Sequence, residues 1–261
     1  AHVLLTRDRQ TIMNDAIVAF GVETGGMDTP ITNDPDTGLA WRPRFDPKTL
    51  LIEEQMLQAA CYIVCAYLTG MRDAEVQAMR SGCLEARRSE DGLVERYRVK
   101  STVYKRRDGR GQPETWTTIE PVAKAIRILE QLTERIRKRR GGDTLWRVLD
   151  DGRSSKDHIS AEIVRQLNAF RDHLNVQFGT AEAPIIPPCQ DGKPWRITTR
   201  QFRRTVAWHI ANRPFGTVAG MIQYKHASIA AYAGYAGSSR SGFRTEVERA
   251  RALGQLAAGL A

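Results

Sequence analysis

The feature that most constrains this chain is a charged turn placed directly after an apolar helix. Segment 52–67, IEEQMLQAACYIVCAY, is rich in apolar residues at helical spacing, and TGMRDAEV at 69–76 follows it. Arginine keeps its charge at physiological pH, so Arg72 beside a core requires a carboxylate partner or an anionic ligand. Glu75, three residues further on, is the nearest carboxylate that a helical turn could bring to it.

The net charge of the chain favours a polyanionic partner. Its 261 residues carry a formal net charge of +9, from 39 Lys and Arg against 30 Asp and Glu. Basic residues concentrate at 96–110 and in the run RIRKRR at 135–140. Such clusters are typical of nucleic-acid binding. No segment reaches the roughly 18 consecutive apolar residues of a membrane helix, so we expect no membrane span.

The cysteines predict neither a metal site nor a disulfide framework. Cys61 and Cys65 lie one helical turn apart, but no second pair follows at metal-ligand spacing. We interpret these two, with Cys83 and Cys189, as small core residues in a reducing compartment, which by default is the cytoplasm. The chain lacks an initiator methionine and a signal peptide, so we expect a fragment or a processed chain.

Hydrophobic periodicity predicts a mainly α-helical fold with one small antiparallel β-hairpin. Segments 92–105 and 115–120 are rich in strand-forming residues and predict the two strands, joined by a long basic turn. Helices are predicted at 7–20, from Asp46 to Gly70, at 73–80, at 122–140, at 158–175 and from Thr198 onward.

A second arginine cluster lies on another predicted helix, ITTRQFRRTVAWHIA at 197–211. Arg200 and Arg203 are three residues apart, so a helix places them on one face. His226 and Tyr235 follow, nine residues apart, with an alanine-rich stretch between them. Each feature alone fits an ordinary surface charge or core phenol, whereas their order and spacing together favour a shared site.

These segments resemble the motifs of the tyrosine recombinase, or phage integrase, family over about residues 50–240. The family motif T-G-[LM]-R-x-x-E-[LV] is matched by TGMRDAEV at 69–76. The H-x-x-R motif is matched by RQFR at 200–203, with arginine where the family most often has histidine. The His or Trp found nine residues before the family's nucleophilic tyrosine is matched by His226 and Tyr235.

The resemblance implies a site that cuts and rejoins DNA strands through a covalent 3′-phosphotyrosyl intermediate. Arg72 and Arg203 would bind the non-bridging phosphate oxygens, since guanidinium groups bind phosphate bidentately without a metal. His226 would add a third hydrogen bond, and Tyr235 would attack phosphorus. Glu75 would orient Arg72 and would not act as an acid.

Alternatives remain for three roles in this implied site. Lys105, at the entry to the hairpin turn, is preferred as the general acid for the leaving 5′-hydroxyl, and Lys100 is the alternative. Tyr235 is preferred as nucleophile over Tyr232 because of its spacing from the histidine. Arg200 can donate to the phosphate but cannot act as a base at neutral pH, so the tyrosine proton would leave by another route, such as water.

The implied protein is the catalytic domain of a site-specific DNA recombinase or integrase, an enzyme that needs no cofactor or metal. Its domains would be a loosely ordered segment or the remnant of a preceding region at 1–45, the catalytic domain at 46–240 and a helical tail at 241–261. Too little chain precedes residue 50 for a separate DNA-binding domain of ordinary size. We therefore expect a catalytic fragment of a longer protein from a bacterium, phage or mobile element.

Double-stranded DNA is the partner that the resemblance implies, with self-assembly, as a tetramer, on paired DNA sites. The tail would dock on a neighbouring protomer or pack on its own domain. Its apolar stripe comprises Phe243, Val247, Ala250, Leu253 and Leu256.

Other functions are compatible with the same residues. A non-catalytic DNA-binding protein would show salt-dependent affinity and form no covalent adduct. A type IB topoisomerase would relax supercoils without pairing sites, and a telomere resolvase would form hairpin ends. An RNA-binding domain is least favoured, because the hairpin lacks an aromatic platform for stacking bases.

Overall fold

The computed structural model describes residues 7–21, 30–42, 44–88, 95–104, 111–149, 160–226 and 228–232. The chain divides into two compact units, residues 1–54 and 55–261. The helices are α1 (Arg7–Phe20), α2 (Pro47–Thr69), α3 (Asp73–Gln77), α4 (Glu120–Arg140), α5 (Ser160–Phe178), α6 (Thr199–Ala211) and α7 (Gly216–Gln223). The strands are β1 (Leu84–Arg88), β2 (Glu95–Val103) and β3 (Gln112–Thr118).

The fold class predicted from the sequence is confirmed, since helices dominate the described residues and the only sheet among them is small and antiparallel. The domain boundaries at 45 and 240 stay predictions, and the C-terminal tail lies outside the described residues. Among the residues that the structure describes, no helix is long and apolar enough to cross a membrane.

The first unit contains α1 and a tight turn. Several large apolar side chains of α1 are exposed, with Val18 at 87% and Phe20 at 90%. The turn begins at Asp34, whose Oδ1 accepts the backbone N–H of Asp36 (2.8 Å). Arg42 forms an ion pair with Glu53 (2.6 Å).

Helix α2 begins and ends where the sequence signals predict. Asp46 Oδ1 accepts the backbone N–H groups of Lys48 (2.8 Å) and Thr49 (2.7 Å), which otherwise lack a partner in a first turn. The helix ends before Gly70, whose φ of +68° is unfavourable for any residue with a Cβ atom.

The apolar face of α2 is only partly the one that its spacing predicts. The spacing predicts Leu57, Cys61, Val64 and Leu68 on the core side. Cys61 is buried and Val64 and Leu68 pack against the core, but Leu57 is 43% exposed, while Tyr62 and Cys65 are fully buried. Apolar residues surround this helix, so their spacing fits more than one face. Tertiary contacts select among them: the Tyr62 ring lies edge-on to Trp146, with ring centroids 5.4 Å apart.

The sheet has three strands in the order β1-β2-β3, one more than the predicted hairpin. β2 pairs antiparallel with β1 through Leu84↔Val99 and with β3 through Val99↔Trp116. Val99 and Trp116 are fully buried, because alternate residues of the sheet face the core. Strand β1, with sequence LEARR, carries too few apolar residues to be recognised without its partner.

Helices α4, α5 and α6 complete the main core. The helical spacing of apolar residues in α4 predicts one buried face. The face is confirmed at Val122, Ile126, Leu129 and Ile136, which are buried. Leu132 is only partly buried, and Thr133 takes its place in the core. From α5, Asn168 holds Ile197, two residues before α6: its amide oxygen accepts the Ile197 N–H (3.0 Å) and its amide nitrogen donates to the Ile197 carbonyl (2.9 Å).

The cysteine prediction is correct at three positions and wrong at the fourth. Cys61, Cys65 and Cys83 are buried, and burial raises the pKa of the Cys61 and Cys83 thiols to about 12. These thiols therefore stay protonated and unreactive. Cys189 is only partly buried, because it lies in a surface turn closed by its own N–H donating to the Lys193 carbonyl (2.8 Å).

Gly70 provides a test of the turn that ends α2. A Cβ atom at Gly70 would lie 2.6 Å from the Tyr224 ring, and φ is also positive. We expect Gly70→Ala to lower the free energy of unfolding by about 2 to 4 kcal/mol, combining backbone strain with overpacking. Urea denaturation measures the change.

Gly82→Ala is the matched control, because Gly82 has φ +79° and open space around its Cα. It should show only the backbone part, about 1 to 2 kcal/mol. Equal losses for the two variants would show that the contact with Tyr224 does not matter.

Candidate active site

The turn between α2 and α3 brings Arg72 from the core to the surface. Thr69 Oγ1 donates to the Cys65 carbonyl (2.6 Å) and accepts the Met71 N–H (3.2 Å), so the chain leaves α2 in one defined direction. Met71 is 1% exposed and fixes the turn in the core. Arg72 then has an extended backbone, φ −72° and ψ 157°, and its side chain is 38% exposed.

The carboxylate of Glu75 contacts two arginines, Arg72 and Arg203. Its Oε2 accepts the Arg72 backbone N–H (2.7 Å), and its Oε1 contacts Arg72 Nη1 (2.6 Å). Its Oε2 also lies 3.5 Å from Arg203 Nη1. Glu75 is 1% exposed, so both arginines interact with it in a medium where charge pairs are poorly screened.

Arg203 projects from α6 into the interior and is 4% exposed. Its Nη1 donates to the Gly70 carbonyl, and its Nη2 donates to the Tyr224 carbonyl (3.0 Å). Its guanidinium lies over the Tyr224 ring, 4.3 Å from the centroid. Arg203 therefore connects three segments that are distant in the sequence.

We call residues Gln223–His226 the histidine turn. His226 Nε2 lies 3.3 Å from Arg203 Nη2; because a guanidinium only donates, this is a hydrogen bond when Nε2 carries no proton. Tyr224 is fully buried, and its hydroxyl donates to the Arg203 carbonyl (2.7 Å). Arg203 and Tyr224 therefore bond to each other's backbone carbonyls.

A pocket of about 550 Å³ opens between α3 and α6. It is lined by Arg72, Asp73, Ala74, Thr199, Arg200, Arg203 and Arg204. The single carboxylate in this lining, that of Asp73, accepts hydrogen bonds from Tyr62 Oη (2.7 Å) and Gln77 Nε2 (2.8 Å). Arginines outnumber acids in the lining, so the pocket favours an anion.

The structure thus brings together most of the predicted phosphate-binding residues. Arg72, Arg200 and Arg203 line one pocket, and Glu75 contacts two of them. His226 lies against Arg203. The roles of these residues stay predictions. Two other predicted residues, the preferred nucleophile Tyr235 and the preferred general acid Lys105, lie outside the described residues.

The alternative general acid, Lys100, lies on the face of the sheet that is turned away from α3. Its neighbour Ser101 donates its hydroxyl to the Glu75 carbonyl (2.5 Å), and successive residues of a strand point to opposite faces. Lys100 pairs instead with Glu85 on the adjacent strand (2.6 Å). This placement disfavours Lys100 as a proton donor at the pocket.

The alternative nucleophile, Tyr232, is buried and its hydroxyl donates to the Ala207 carbonyl (2.7 Å). Burial raises the pKa of the Tyr232 phenol to about 12, although the charge of Arg203 lowers it. A phenol that is hard to deprotonate and bonded to the backbone is poorly placed to attack phosphorus. The structure therefore disfavours Tyr232.

Sequence reasoning missed Gln223, Tyr224 and Lys225, which fix the histidine turn. Gln223 Nε2 donates to the carbonyls of Thr69 (2.8 Å) and Thr117 (2.9 Å). Lys225 Nζ donates to the Thr115 carbonyl (2.7 Å). The only sequence signal was the polar break YKHAS in a helical region, which indicates a turn but not its contacts.

Among the described residues, no cluster of His, Cys, Asp and Glu is arranged to hold a metal ion. The basic groups in the pocket lining are guanidiniums, which act on an anion by hydrogen bonding.

No protein family and no curated protein matches the chain. Among solved structures, XerA recombinase is similar with 14% identity and a TM-score of 0.44, over 80% of this chain and 65% of that one. The Tn1549 transposon integrase in complex with a circular intermediate DNA is similar with 16% identity and a TM-score of 0.41, over 93% and 77%.

XerH site-specific recombinase bound to palindromic difH substrate is similar with 13% identity and a TM-score of 0.43, over 85% of this chain and 56% of that one. The chain thus spans less than two thirds of the XerA and XerH chains. At these identities and TM-scores the likeness assigns no function to the chain.

Glu75 provides a test of the charge balance in the site. Glu75→Gln preserves the shape of the side chain but removes the carboxylate that buried Arg203 contacts, and we expect the free energy of unfolding to fall by about 3 kcal/mol. Chemical denaturation measures the loss. Glu85→Gln is the control, because it removes a carboxylate from an exposed cross-strand pair with Lys100 and should change stability little.

If Glu75→Gln were as stable as the parent chain, the buried carboxylate would not be needed to compensate Arg203.

The raised pKa of the Tyr232 phenol can be tested through the pH dependence of stability. Because its folded pKa of about 12 exceeds the ordinary value of 10, the neutral phenol stabilises the fold fully below pH 10, and this stabilisation is lost between pH 10 and 12. Tyr232→Phe should cost about 1 kcal/mol at neutral pH through the lost hydrogen bond, and stability should then fall less steeply above pH 10. Urea midpoints from pH 7 to 11.5 measure both effects.

Identical alkaline profiles for the Tyr232→Phe variant and the parent chain would contradict a raised pKa at this phenol.

Proposed function

We propose that this chain is the catalytic part of a site-specific DNA recombinase or integrase, which cleaves and rejoins strands through a 3′-phosphotyrosyl intermediate. The observation that carries the proposal is the arginine pocket, in which Arg72, Arg200 and Arg203 meet above a buried Glu75. These arginines belong to the segments whose order and spacing resemble the tyrosine recombinase motifs.

The pocket suits a phosphodiester because Glu75 fixes one of its donors, the Arg72 guanidinium, before a ligand arrives. Glu75, whose carboxylate also accepts the Arg72 backbone N–H, holds the Arg72 guanidinium from one side, and that side chain is still partly exposed. Arg200 is exposed on the first turn of α6. Donors held in place stabilise the charge that develops on the phosphate during displacement without reorganising.

In this proposal, the main role of Arg203 is to hold other parts of the site in place. Its Nη1 and Nη2 atoms already donate to the Gly70 and Tyr224 carbonyls, so it holds the pocket floor and adds positive charge beneath the phosphate. His226 lies against Arg203 at that floor and would donate to a phosphate oxygen through a ring N–H.

Tyr235 is the proposed nucleophile. Its phenolic oxygen forms a bond to phosphorus, the bond from phosphorus to the 5′-oxygen breaks, and the 5′-oxygen takes a proton from the general acid, for which Lys105 is proposed. The phenol proton leaves to water, because Arg200 cannot accept it. Attack by a 5′-hydroxyl on the phosphotyrosyl bond reverses these steps and rejoins the strand.

Double-stranded DNA is the proposed partner. The net charge of +9 and the basic clusters would bind the backbone outside the pocket, so affinity should fall steeply with salt. We further propose that the chain assembles on paired sites and that it works as part of a longer protein.

The decisive experiment uses a nicked suicide DNA substrate that traps the covalent intermediate. The parent chain should form a protein–DNA adduct that resists denaturation, and Tyr235→Phe should form none. Tyr232→Phe is the matched control and should retain the adduct. Arg72→Ala should slow adduct formation about 100- to 1000-fold, as expected for loss of a donor to the transition state.

An adduct that persists in Tyr235→Phe would refute this assignment. Salt-dependent DNA binding without any adduct would identify a non-catalytic DNA-binding protein, and relaxation of supercoiled DNA by a single chain would identify a topoisomerase.

A further inference from the structure

Strand β3 lies at the edge of the sheet, and two of its carbonyls point outward. Lys100, which pairs with Thr115, directs its own backbone N–H to the Cys83 carbonyl (2.8 Å), away from β3. The two residues of such a pair turn their backbone groups away from each other, so the Thr115 carbonyl faces the open edge. Thr117, two residues further on, faces the same way.

Side chains of the histidine turn satisfy both edge carbonyls. Lys225 Nζ donates to Thr115 (2.7 Å), and Gln223 Nε2 donates to Thr117 (2.9 Å). Lys225 Nζ also lies 3.3 Å from a carboxylate oxygen of Glu114 and 5.4 Å from the centroid of the Trp116 ring. The lysine side chain is 19% exposed, so these contacts form in a partly desolvated place.

Lys225 also has an unusual backbone conformation. Its φ is +55°, in the left-handed region that disfavours residues with a Cβ atom. A glycine would adopt this conformation more easily. A lysine here is therefore explained by its ammonium group and not by its backbone.

We propose that Lys225 is a positioning residue that fixes the histidine turn to β3 and thereby aligns His226 with the hairpin. This inference rests on the proposed function, in which His226 binds the phosphate and the hairpin supplies the general acid. Lys225 itself would act through Thr115 and Glu114 and not on the phosphate. Without the ammonium group of Lys225, the histidine turn and the hairpin would move relative to each other.

Lys225→Gly tests the ammonium group without disturbing the backbone. Glycine accepts a φ of +55°, and the substitution removes every side-chain contact. We expect the His226 amide, which donates to the Met221 carbonyl (3.0 Å), to exchange with solvent deuterium about tenfold faster or more. Lys225→Arg keeps a cationic donor and should restore slow exchange. Lys193→Gly is the control, since Lys193 pairs only with a surface carboxylate in the described contacts.

Cleavage of the suicide substrate gives the second measurement. Lys225→Gly should cleave ordinary DNA about 10- to 100-fold more slowly, the range expected for loss of a hydrogen bond from a charged group. Most of this loss should disappear when sulfur replaces the leaving 5′-oxygen, because a thiolate leaves without a proton from the hairpin. Lys225→Arg should cleave both substrates at nearly the parent rate, with DNA affinity unchanged throughout.

Unchanged exchange at His226 in Lys225→Gly, or equal slowing on the oxygen and sulfur substrates, would overturn the proposal. If the parent chain itself formed no adduct, the proposed function would fail instead. The exchange measurement would still decide whether Lys225 holds the histidine turn on β3.

Discussion

The site depends on the buried carboxylate of Glu75, because two arginines from distant parts of the chain share it. Arg72 reaches it from the turn after α2, and Arg203 reaches it from α6. The lining of the neighbouring pocket has four arginines and one carboxylate, that of Asp73. This excess of positive charge gives the pocket its preference for an anion.

The two arginines have different roles, because one lies at the surface and the other in the interior. Arg72 is partly exposed and oriented by Glu75, so it can meet a ligand. Arg203 is almost fully buried, and the Gly70 and Tyr224 carbonyls take its donors. Gly70 has no side chain, and this lets the Tyr224 ring approach the turn closely enough for Arg203 to bridge both segments. The position of Arg203 therefore depends on the packing of this ring against this glycine.

Sequence reasoning found the parts of the fold that local chemistry determines. The Asp46 cap and Gly70 delimit α2, and the predicted helix at 7–20 coincides with α1. It missed β1, because LEARR becomes a strand only through pairing with β2. The motifs named Arg72, Arg200 and Arg203 as neighbours, but the burial of Arg203 depends on partners more than 100 residues away in the sequence. Lys225 and Gln223 were missed for the same reason, since no local pattern marks their contacts with β3.

The way in which β3 ends the sheet bears on how copies of this chain behave at high concentration. An uncovered edge strand offers a row of unpaired carbonyls and amides to any passing strand, and this is a common route to aggregation. Here a glutamine and a lysine occupy two of those carbonyls, and the lysine brings a positive charge to the edge. Intermolecular strand addition at this edge would first have to displace both side chains, so the contacts that order the histidine turn also protect solubility.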